Sequence, residues 1–446
     1  MHLTADTPSQ GRIVMTRPKQ LRSLGLARLA GMAGLFILLV AAIAAQAQTF
    51  SVLHSFTGGG DGELPIAGVT VGPSGVLYGT AAGSGNLGYG TVFKLSLVNS
   101  SWVFRPLHKF TGGSDGAYSV GGVVIGPNGA LYGTTWLGGS EDYGTVFELR
   151  PPLTACKAVL CYWNETVLYN FTGSPDGRDP LYVNLAFDQA GDMYGTTSGG
   201  GYTDCYPDES SCGTVFELTP SGGGWTESII HDFGSGTDGW SPYSGVVLDT
   251  VGNVYGTTFY GGNGGCAPTG CGTVYQLMPS NGGWVENVLV NFDGTNGDGP
   301  YSNLIMDGSG NLYGTTIGGG QNLYGVVYKL TPSDGGFTYS ALYTFSSFCD
   351  SRGGVAMDAA GHFFGVCYGG GAHYDGWIFE LTNCSQTCTL TDLHDFSGSD
   401  GNGPWGAPVL DANGNLYGTT LYGGTGCYEG CGVVWEITPM EALRTE

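Results

Sequence analysis

Carboxylates and aromatic rings recur close together in the loops of this 446-residue chain. An Asp-Gly pair follows one repeated stretch, and a Tyr or Trp often comes a few residues later. Aromatic rings stack on the C–H faces of sugars, and carboxylates accept hydrogen bonds from sugar hydroxyls, so this combination predicts carbohydrate binding. The candidate binding residues are Asp115, Tyr118, Asp238, Tyr243, Asp298, Tyr301, Asp400 and Trp405.

Both residue types also have simpler interpretations, and these stay open. Asp-Gly is common in turns, because the Asp side chain bonds to nearby backbone and Gly tolerates a left-handed conformation. The rings could pack between neighbouring units of the fold instead of facing a ligand. If the carboxylates do form a rim, that rim could bind hydroxyls or a cation.

Four His-x-Phe motifs raise the possibility of a metal site, since imidazole is a common metal ligand. The histidines are His54, His108, His231 and His394, and the equivalent positions elsewhere hold Tyr169, Val290 and Tyr343. Valine cannot bind a metal, so we interpret this as a structural position in a strand. We therefore expect neither a metal site nor a cofactor.

One repeat departs from the others and could contain a separate site. It has CDSRGG where other repeats have Asp-Gly-x-Pro, and GAHYDGW in a later loop. The departure places Arg352, His362, His373 and Asp375 in one unit. Drift within a redundant repeat is the simpler explanation.

The elements that position these residues come from an internal repeat. A pair of motifs such as LYGTT and GTVFEL, separated by a Gly-rich gap, occurs seven times, and successive copies lie 51 to 62 residues apart. The marker aromatics are Tyr78, Tyr132, Tyr194, Tyr255, Tyr313, Phe364 and Tyr417. Alternating β-branched and aromatic residues between turns such as DANGN and PSGGG predict four strands per unit. Seven such units predict an all-β fold, a seven-bladed β-propeller.

The repeat also indicates how the blades pack. The Gly of each YGTT lies in mid-strand, where we expect it to permit close approach of aromatics from the adjacent blade. An aromatic column in the third strands should form a packing layer: Phe93, Phe147, Phe216, Tyr275, Tyr328, Phe379 and Trp435. If the first strand lines the channel, the Asp-Gly loops and the loops between second and third strands open on one face.

The two ends of the repeated region complement each other. TFSVLHSF (49–56) has the pattern of a fourth strand, whereas VVWEITP (433–439) is a third strand with no fourth strand after it. The N-terminal strand should therefore complete the last blade and remove the open edges of the ring.

Residues 1–47 have the features of an export signal. Five basic residues precede the apolar run LAGMAGLFILLVAAIAA, and Ala45-Gln46-Ala47 offers small residues for cleavage, although Met15 could be the true start. An uncleaved membrane anchor is the alternative. We expect cleavage, which leaves a propeller over residues 48–446 that is secreted or held at the cell surface.

The composition excludes some partners. After cleavage, 9 basic and 36 acidic residues remain, which gives a net charge of −27. A surface this acidic repels nucleic acid and anionic membranes, so we expect neither as a partner.

The twelve cysteines all follow the signal and form close pairs. An even count in an exported chain favours disulfides, and no CxxC motif is present to support zinc. The expected pairs are Cys156–Cys161, Cys205–Cys212, Cys266–Cys271, Cys349–Cys367, Cys384–Cys388 and Cys427–Cys431.

The consensus unit LHxFTGGxDGxxPxxGVVxGxxGxLYGTTxxGGxxxxGTVFxLTP resembles the GloVer, or Gloeo/Verruco, tandem repeat of exported bacterial proteins. The resemblance extends over essentially the whole mature chain. It implies export and a repeat architecture, and it brings no established activity. Members often end in an anchoring signal, whereas this chain ends in the polar MEALRTE, so we expect release.

The favoured function is an extracellular, monomeric binding module whose partner is a polysaccharide or a surface protein. A polysaccharide lyase or glycosidase on the same scaffold is one alternative, and a structural envelope component is another. Hydrolysis or elimination would need paired carboxylates, or a His or Tyr base, singled out in one blade. Repetition around the ring favours binding, and enzymatic activity stays undecided.

Overall fold

The computed structural model describes residues 48–439 except 86, 154–160, 203–204, 206–211, 235–236, 267, 386 and 429. Thr49–Pro439 form one compact unit, and the expected signal at 1–47 lies outside the described residues. The described chain is built from strands, with one short 3-10 turn at Pro73–Gly75. It has no helix long and apolar enough to cross a membrane.

Seven antiparallel sheets of four strands follow each other along the chain, and we call them blades 1 to 7. Blade 1 contains Val69–Val71, Leu77–Ala81, Thr91–Val98 and Ser101–Lys109. Blade 2 contains Val124–Ile125, Leu131–Thr135, Thr145–Arg150 and Asn164–Asn170. Blade 3 contains Ala186–Phe187, Met193–Thr197, Thr214–Ser221 and Gly224–Asp232. Blade 4 contains Val247–Leu248, Val254–Thr258, Thr273–Ser280 and Gly283–Asn291.

The remaining blades repeat this order, and the prediction of a seven-bladed β-propeller is confirmed. Blade 5 contains Ile305–Met306, Leu312–Thr316, Val326–Ser333 and Gly336–Thr344. Blade 6 contains Val355–Met357, Phe363–Cys367, Trp377–Thr382 and Thr389–Asp395. Blade 7 contains Val409–Leu410, Leu416–Tyr422, Val433–Thr438 and Thr49–Ser55. Two short additions pair near the loops, Gly177–Arg178 with Gly199–Gly200 and Asn402–Pro404 with Leu416–Tyr422.

The first and last segments of the propeller close the ring together. Thr49–Ser55 pairs antiparallel with Val433–Thr438, from Thr49 opposite Thr438 to Ser55 opposite Val433. The N-terminal strand is thus the outer strand of blade 7, as predicted. Closure gives the third strand of this blade a partner that it would otherwise lack.

The Gly and the first Thr of the YGTT motif, in the second strand of each blade, have separate packing roles, which blade 1 illustrates. A Cβ on Gly79 would lie 2.6 Å from Cζ of Phe93, which is its partner on the third strand of the same blade. The expectation of a ring from the adjacent blade is therefore wrong, because the aromatic leans across its own sheet. The next residue, Thr80, reaches the adjacent blade and donates a hydrogen bond to the Gly121 carbonyl at 2.9 Å.

Adjacent blades are joined by an aromatic pair that recurs seven times. The Phe that follows each fourth strand packs edge-on or tilted against the third-strand aromatic of the next blade, with ring centroids 5.1 to 6.3 Å apart. The pairs are Phe56–Phe93, Phe110–Phe147, Phe171–Phe216, Phe233–Tyr275, Phe292–Tyr328, Phe345–Phe379 and Phe396–Trp435. The expected packing layer is confirmed, and these rings are almost fully buried.

Five of the six expected disulfides are present: Cys205–Cys212, Cys266–Cys271, Cys349–Cys367, Cys384–Cys388 and Cys427–Cys431. The pair Cys156–Cys161 depends on Cys156, which lies outside the described residues. Most of these bridges close loops of only four to seven residues.

A short bridge removes little chain entropy from the unfolded state. We expect the double substitution Cys427→Ser and Cys431→Ser to lower the free energy of unfolding by at most about 2 to 3 kcal/mol. The matched variant Cys349→Ser with Cys367→Ser opens an 18-residue loop whose two sulfurs are fully buried, and it should be more destabilising. If calorimetric melting shows that the two variants lose equal stability, the expectation that the longer, buried bridge stabilises the fold more is wrong.

Candidate binding face

Two sets of loops meet at one end of the propeller, which we call the upper face. The loops that connect one blade to the next pair with the loops between second and third strands through bridges such as Glu63 with Gly83 and Ala117 with Leu137. The same bridge joins Trp240 to Tyr260. The predicted common face is therefore formed.

Each blade contributes one side chain where the chain enters its first strand, three residues before a buried apolar residue that begins that strand or immediately precedes it. These seven side chains form what we call the mouth: Ile66, Val120, Tyr182, Tyr243, Tyr301, Arg352 and Trp405. A left-handed residue, with φ between 52° and 66°, shortly precedes each one: Leu64, Tyr118, Asp179, Ser241, Gly299, Asp350 and Gly403. This turn, with Pro after it in five blades, directs the chain inward.

Four rings of the mouth lie against each other. Tyr182 and Trp405, from blades 3 and 7, stack with centroids 5.6 Å apart and planes inclined by 28°. Tyr301 lies 5.4 Å from Tyr182, 6.0 Å from Trp405 and 5.3 Å from Tyr243. Burial, with a hydrogen bond to Tyr182, raises the pKa of Tyr301 far above its ordinary value, so its hydroxyl stays protonated.

Arg352 of the irregular blade 6 completes this group. Its guanidinium carbon lies 4.1 Å from the ring centroid of Trp405 and 4.6 Å from that of Tyr368. Nε and Nη2 donate to the Asp350 carboxylate at 2.7 to 3.0 Å. Burial alone would lower the pKa of Arg352, but Asp350 outweighs it and the pKa is raised, so the charge is permanent.

The other unusual residues of blade 6 are not brought to this place. His362 lies 3.1 Å from Asp358 in the turn after the first strand, at the end opposite the upper face. Asp375 accepts a hydrogen bond from Nδ2 of Asn402 at 2.7 Å in an upper-face loop. Only Arg352 joins the mouth, so the departure from the repeat yields one positioned side chain and no cluster of four.

Three of the four candidate carboxylates are engaged inside their own loops. Asp115, Asp238 and Asp400 accept hydrogen bonds from the backbone nitrogens of Thr111, Gly234 and Ser397 at 3.0, 2.6 and 2.8 Å. Each also lies 3.0 to 3.4 Å from the Nε2 atom of the strand histidine, His108, His231 or His394. Asp-Gly therefore performs the turn role and holds the His of the His-x-Phe motif.

Asp298 differs from the other three. In its loop Asn296 takes the turn position and accepts a hydrogen bond from the Asp293 backbone nitrogen at 2.9 Å. Asp298 lies two residues further on and bridges to Gly318. Its carboxylate is beside the sulfurs of Cys266 and Cys271, which are bonded to each other and present no thiolate for a metal.

Tyr118 is the candidate aromatic that lies outside the mouth. It occupies the left-handed position of blade 2, and the mouth residue of that blade is Val120. The Tyr118 ring contacts Tyr89 at 5.9 Å and Trp136 at 6.1 Å. Tyr243, Tyr301 and Trp405 are brought together, whereas Tyr118 belongs to a separate aromatic group nearby.

Exposed aromatic side chains are concentrated on the upper face. Among the described residues, eight of the nine aromatic side chains that are substantially exposed lie in its loops: Trp136, Tyr143, Tyr202, Tyr324, Phe348, Tyr374, Tyr422 and Tyr428. The fold and the face together define a propeller whose exposed aromatic rings are concentrated at one end.

The family agrees with this architecture. A sequence model of the Gloeobacter/Verrucomicrobia repeat matches residues 39–166 and 162–354, so the chain belongs to that family. A comparison with curated proteins found no match.

Two solved structures are similar to this chain at low identity. A fungal alcohol oxidase of the AA5 family, in complex with copper, is 16% identical over 90% of this chain and 79% of that chain, with a TM-score of 0.55. A gluconolactonase from Xanthomonas campestris is 11% identical over 70% of this chain and 82% of that chain, with a TM-score of 0.37.

Proposed function

We propose that this protein is an exported binding module whose upper face binds a neutral polysaccharide, with the mouth as the central subsite. The observation that carries the proposal is the convergence of Arg352 with the rings of Tyr182, Tyr301 and Trp405. Two unrelated features of the sequence, the aromatic positions and the irregular sixth repeat, meet there at contact distance.

The chemistry of the mouth suits a sugar. The partly exposed rings offer flat apolar surfaces for C–H faces, and they are held in place by their mutual contacts. A guanidinium has five N–H donors, and the contacts with Asp350 use those on Nε and Nη2. The remaining donors and the Tyr301 hydroxyl can bond to sugar hydroxyls.

Charge favours a neutral chain over an anionic one. The Asp350 carboxylate balances Arg352 at the mouth, and the mature protein carries −27 by sequence. An anionic polymer would therefore be repelled at long range. By analogy with aromatic pairs, we expect each contact between a ring and a sugar to contribute about 1 kcal/mol, so useful affinity depends on several contacts with one polymer. The exposed aromatics around the mouth supply such contacts.

Binding is better supported than hydrolysis. A glycosidase of the common type needs two carboxyl groups on either side of the scissile bond. The described side chains that line the mouth include no carboxylate, and the neighbouring Asp350 is paired with Arg352. The arrangement fits recognition of a ligand and offers no acid and base pair.

Export is part of the proposal and rests on two observations. The first 47 residues have the pattern of a cleavable signal. Disulfides persist in oxidising compartments, and five are present. We expect the mature protein to act as a monomer outside the cell, with neither nucleic acid nor membrane as a partner.

The double substitution Tyr301→Ala and Trp405→Ala should abolish measurable binding of neutral polysaccharides. It removes two of the rings on which a sugar would stack, and one face that holds Arg352. Affinity electrophoresis through gels that contain neutral glucans, mannans or galactans measures the retardation. The melting temperature should be compared with wild type first, because Tyr301 is largely buried.

Tyr428→Ala is the matched control. This ring is fully exposed in an upper-face loop and is not one of the mouth residues. It should be retarded almost as strongly as wild type. If the double variant folds and keeps wild-type retardation, the mouth is not the binding site.

A further inference from the structure

Three consecutive outer strands carry a glutamate where most other blades carry an aromatic ring. The position lies four residues before the His of the His-x-Phe motif or its equivalent. Blades 2, 3 and 4 have Glu165, Glu227 and Glu286 there, which we call the seam glutamates. The other blades have Phe104, Tyr339, Leu390 and Phe50.

We call the interface between two neighbouring blades a seam. Where this position holds an aromatic ring, the ring packs against the outer strand of the preceding blade. Phe104 of blade 1 stacks on His54 of blade 7 with centroids 4.2 Å apart. Phe50 of blade 7 stacks on His394 of blade 6 at 3.6 Å. A glutamate at the same position therefore faces the outer strand and the Asp-Gly loop of the preceding blade.

The seam glutamates meet other acidic groups there. Carboxylate oxygens of Glu286 and Asp238 and a ring nitrogen of His231 all lie within 4.8 Å of one another. Glu227 lies beside the Tyr169 hydroxyl, which donates a hydrogen bond to Asp176 at 3.0 Å. Glu165 faces Asp115, which lies 3.4 Å from His108.

Ionisation of these glutamates is unfavourable where they lie. The Oε1 atom of each is buried and has no hydrogen-bond partner among the described residues. Burial, and then the nearby aspartates, raise the pKa of Glu165 and Glu227 to about 7 and that of Glu286 to about 8. Asp232 adds negative charge beside Glu227, and the Tyr275 phenol lies close to Glu286.

We propose that the three seams between blades 1 and 4 form an acid-stabilised part of the ring, in which protonated seam glutamates join neighbouring blades and their ionisation loosens them. In the acid form the Glu286 hydroxyl donates a hydrogen bond to the Asp238 carboxylate. When the proton leaves to solvent, two carboxylates face each other across the seam. This dependence on protonation arises in the blade interfaces and does not depend on the ligand at the mouth.

The sign of the effect follows from proton linkage. The folded pKa values lie above the ordinary value of 4.5, so the folded protein holds protons that the unfolded chain has released. The contribution of these glutamates to the free energy of unfolding is therefore complete below about pH 4.5 and is lost as the pH rises to about 8. The loops that contain Asp115 and Asp238 belong to the upper face, so the binding face should be most rigid in mildly acidic surroundings.

The test is thermal unfolding of the mature protein between about pH 5 and about pH 8.5. Wild type should lose melting temperature steadily across this range. Glu286→Gln keeps the shape and supplies a permanent donor to Asp238, so its melting temperature should fall less and exceed wild type by several degrees at the alkaline end. Glu141→Gln removes the same charge from an exposed loop and should run parallel to wild type.

A second measurement needs no variant. Infrared difference spectra of wild type should show the carbonyl band of protonated carboxylic acids near pH 6, and its loss by about pH 8.5. The proposal is overturned if Glu286→Gln folds and follows the wild-type curve, or if no such band disappears over this range.

Discussion

Without residues 48–57 the mature protein should lose its cooperative unfolding transition. The deletion removes the whole outer strand of blade 7 and exposes Val433–Thr438 as an unpaired edge. It also removes Phe56, a fully buried ring that packs on Phe93 of blade 1 at 5.3 Å. The loss should be comparable with the entire net stability of a folded domain, about 5 to 15 kcal/mol.

Calorimetry and near-ultraviolet circular dichroism measure this loss. A synthetic peptide of residues 48–57 provides the control, since adding it back should restore part of the transition by strand pairing. A truncated protein that melts like the full-length one would show that the ring does not depend on its closing strand.

Phe233→Ala should cost about 3 to 5 kcal/mol of the free energy of unfolding. The ring is fully buried between blade 3 and blade 4, where it meets Tyr275 at 5.1 Å, and truncation leaves a cavity that the closed ring cannot collapse. Urea denaturation followed by fluorescence gives the change. Phe292→Ala should have a similar effect, because the same pair recurs with Tyr328 in the next seam.

Phe348→Ala serves as the matched control for this substitution. Its side chain is 50% exposed in an upper-face loop, so the change should fall close to zero on the same scale. Equal losses for Phe233→Ala and Phe348→Ala would mean that the repeated aromatic pairs do not hold the blades together.

The architecture could be predicted because the same pattern of strands and turns occurs seven times in the sequence. Strand order, the closing strand and the common face of the loops all follow from the period and from the incomplete ends. The role of the YGTT glycine was less accessible, since periodicity does not show that the Phe93 ring leans over Gly79 within its own sheet.

The candidate site was harder to predict because loop lengths vary. The stretch NFDGTNGDG contains two possible turn registers, and the structure uses Asn296-Gly297, which displaces Asp298 from the position of the other aspartates. Counting back three residues from the apolar residue at the entry to the first strand, Leu185 in blade 3 and Val355 in blade 6, would have found Tyr182 and Arg352. The same count would have placed Val120 in the mouth and Tyr118 outside it.

The seam glutamates could have been noticed by aligning the repeats. Their spacing of four residues from Tyr169, His231 and Val290 aligns them with Phe104 and Phe50, so a change from ring to carboxylate is visible. Their partners belong to the preceding blade, 48 to 58 residues earlier in the chain, and only the fold shows that these groups meet.

The most direct test of the binding proposal is the response of individual tryptophans to a neutral oligosaccharide. In wild-type protein with labelled tryptophan, the indole N–H resonance of Trp405, assigned from a Trp405→Phe spectrum, should shift during the titration. The resonances of Trp102 and Trp284, which lie where outer strands begin at the opposite end, should stay unchanged. A titration that leaves Trp405 unmoved, or that moves Trp102 or Trp284 instead, would contradict a glycan site at the mouth.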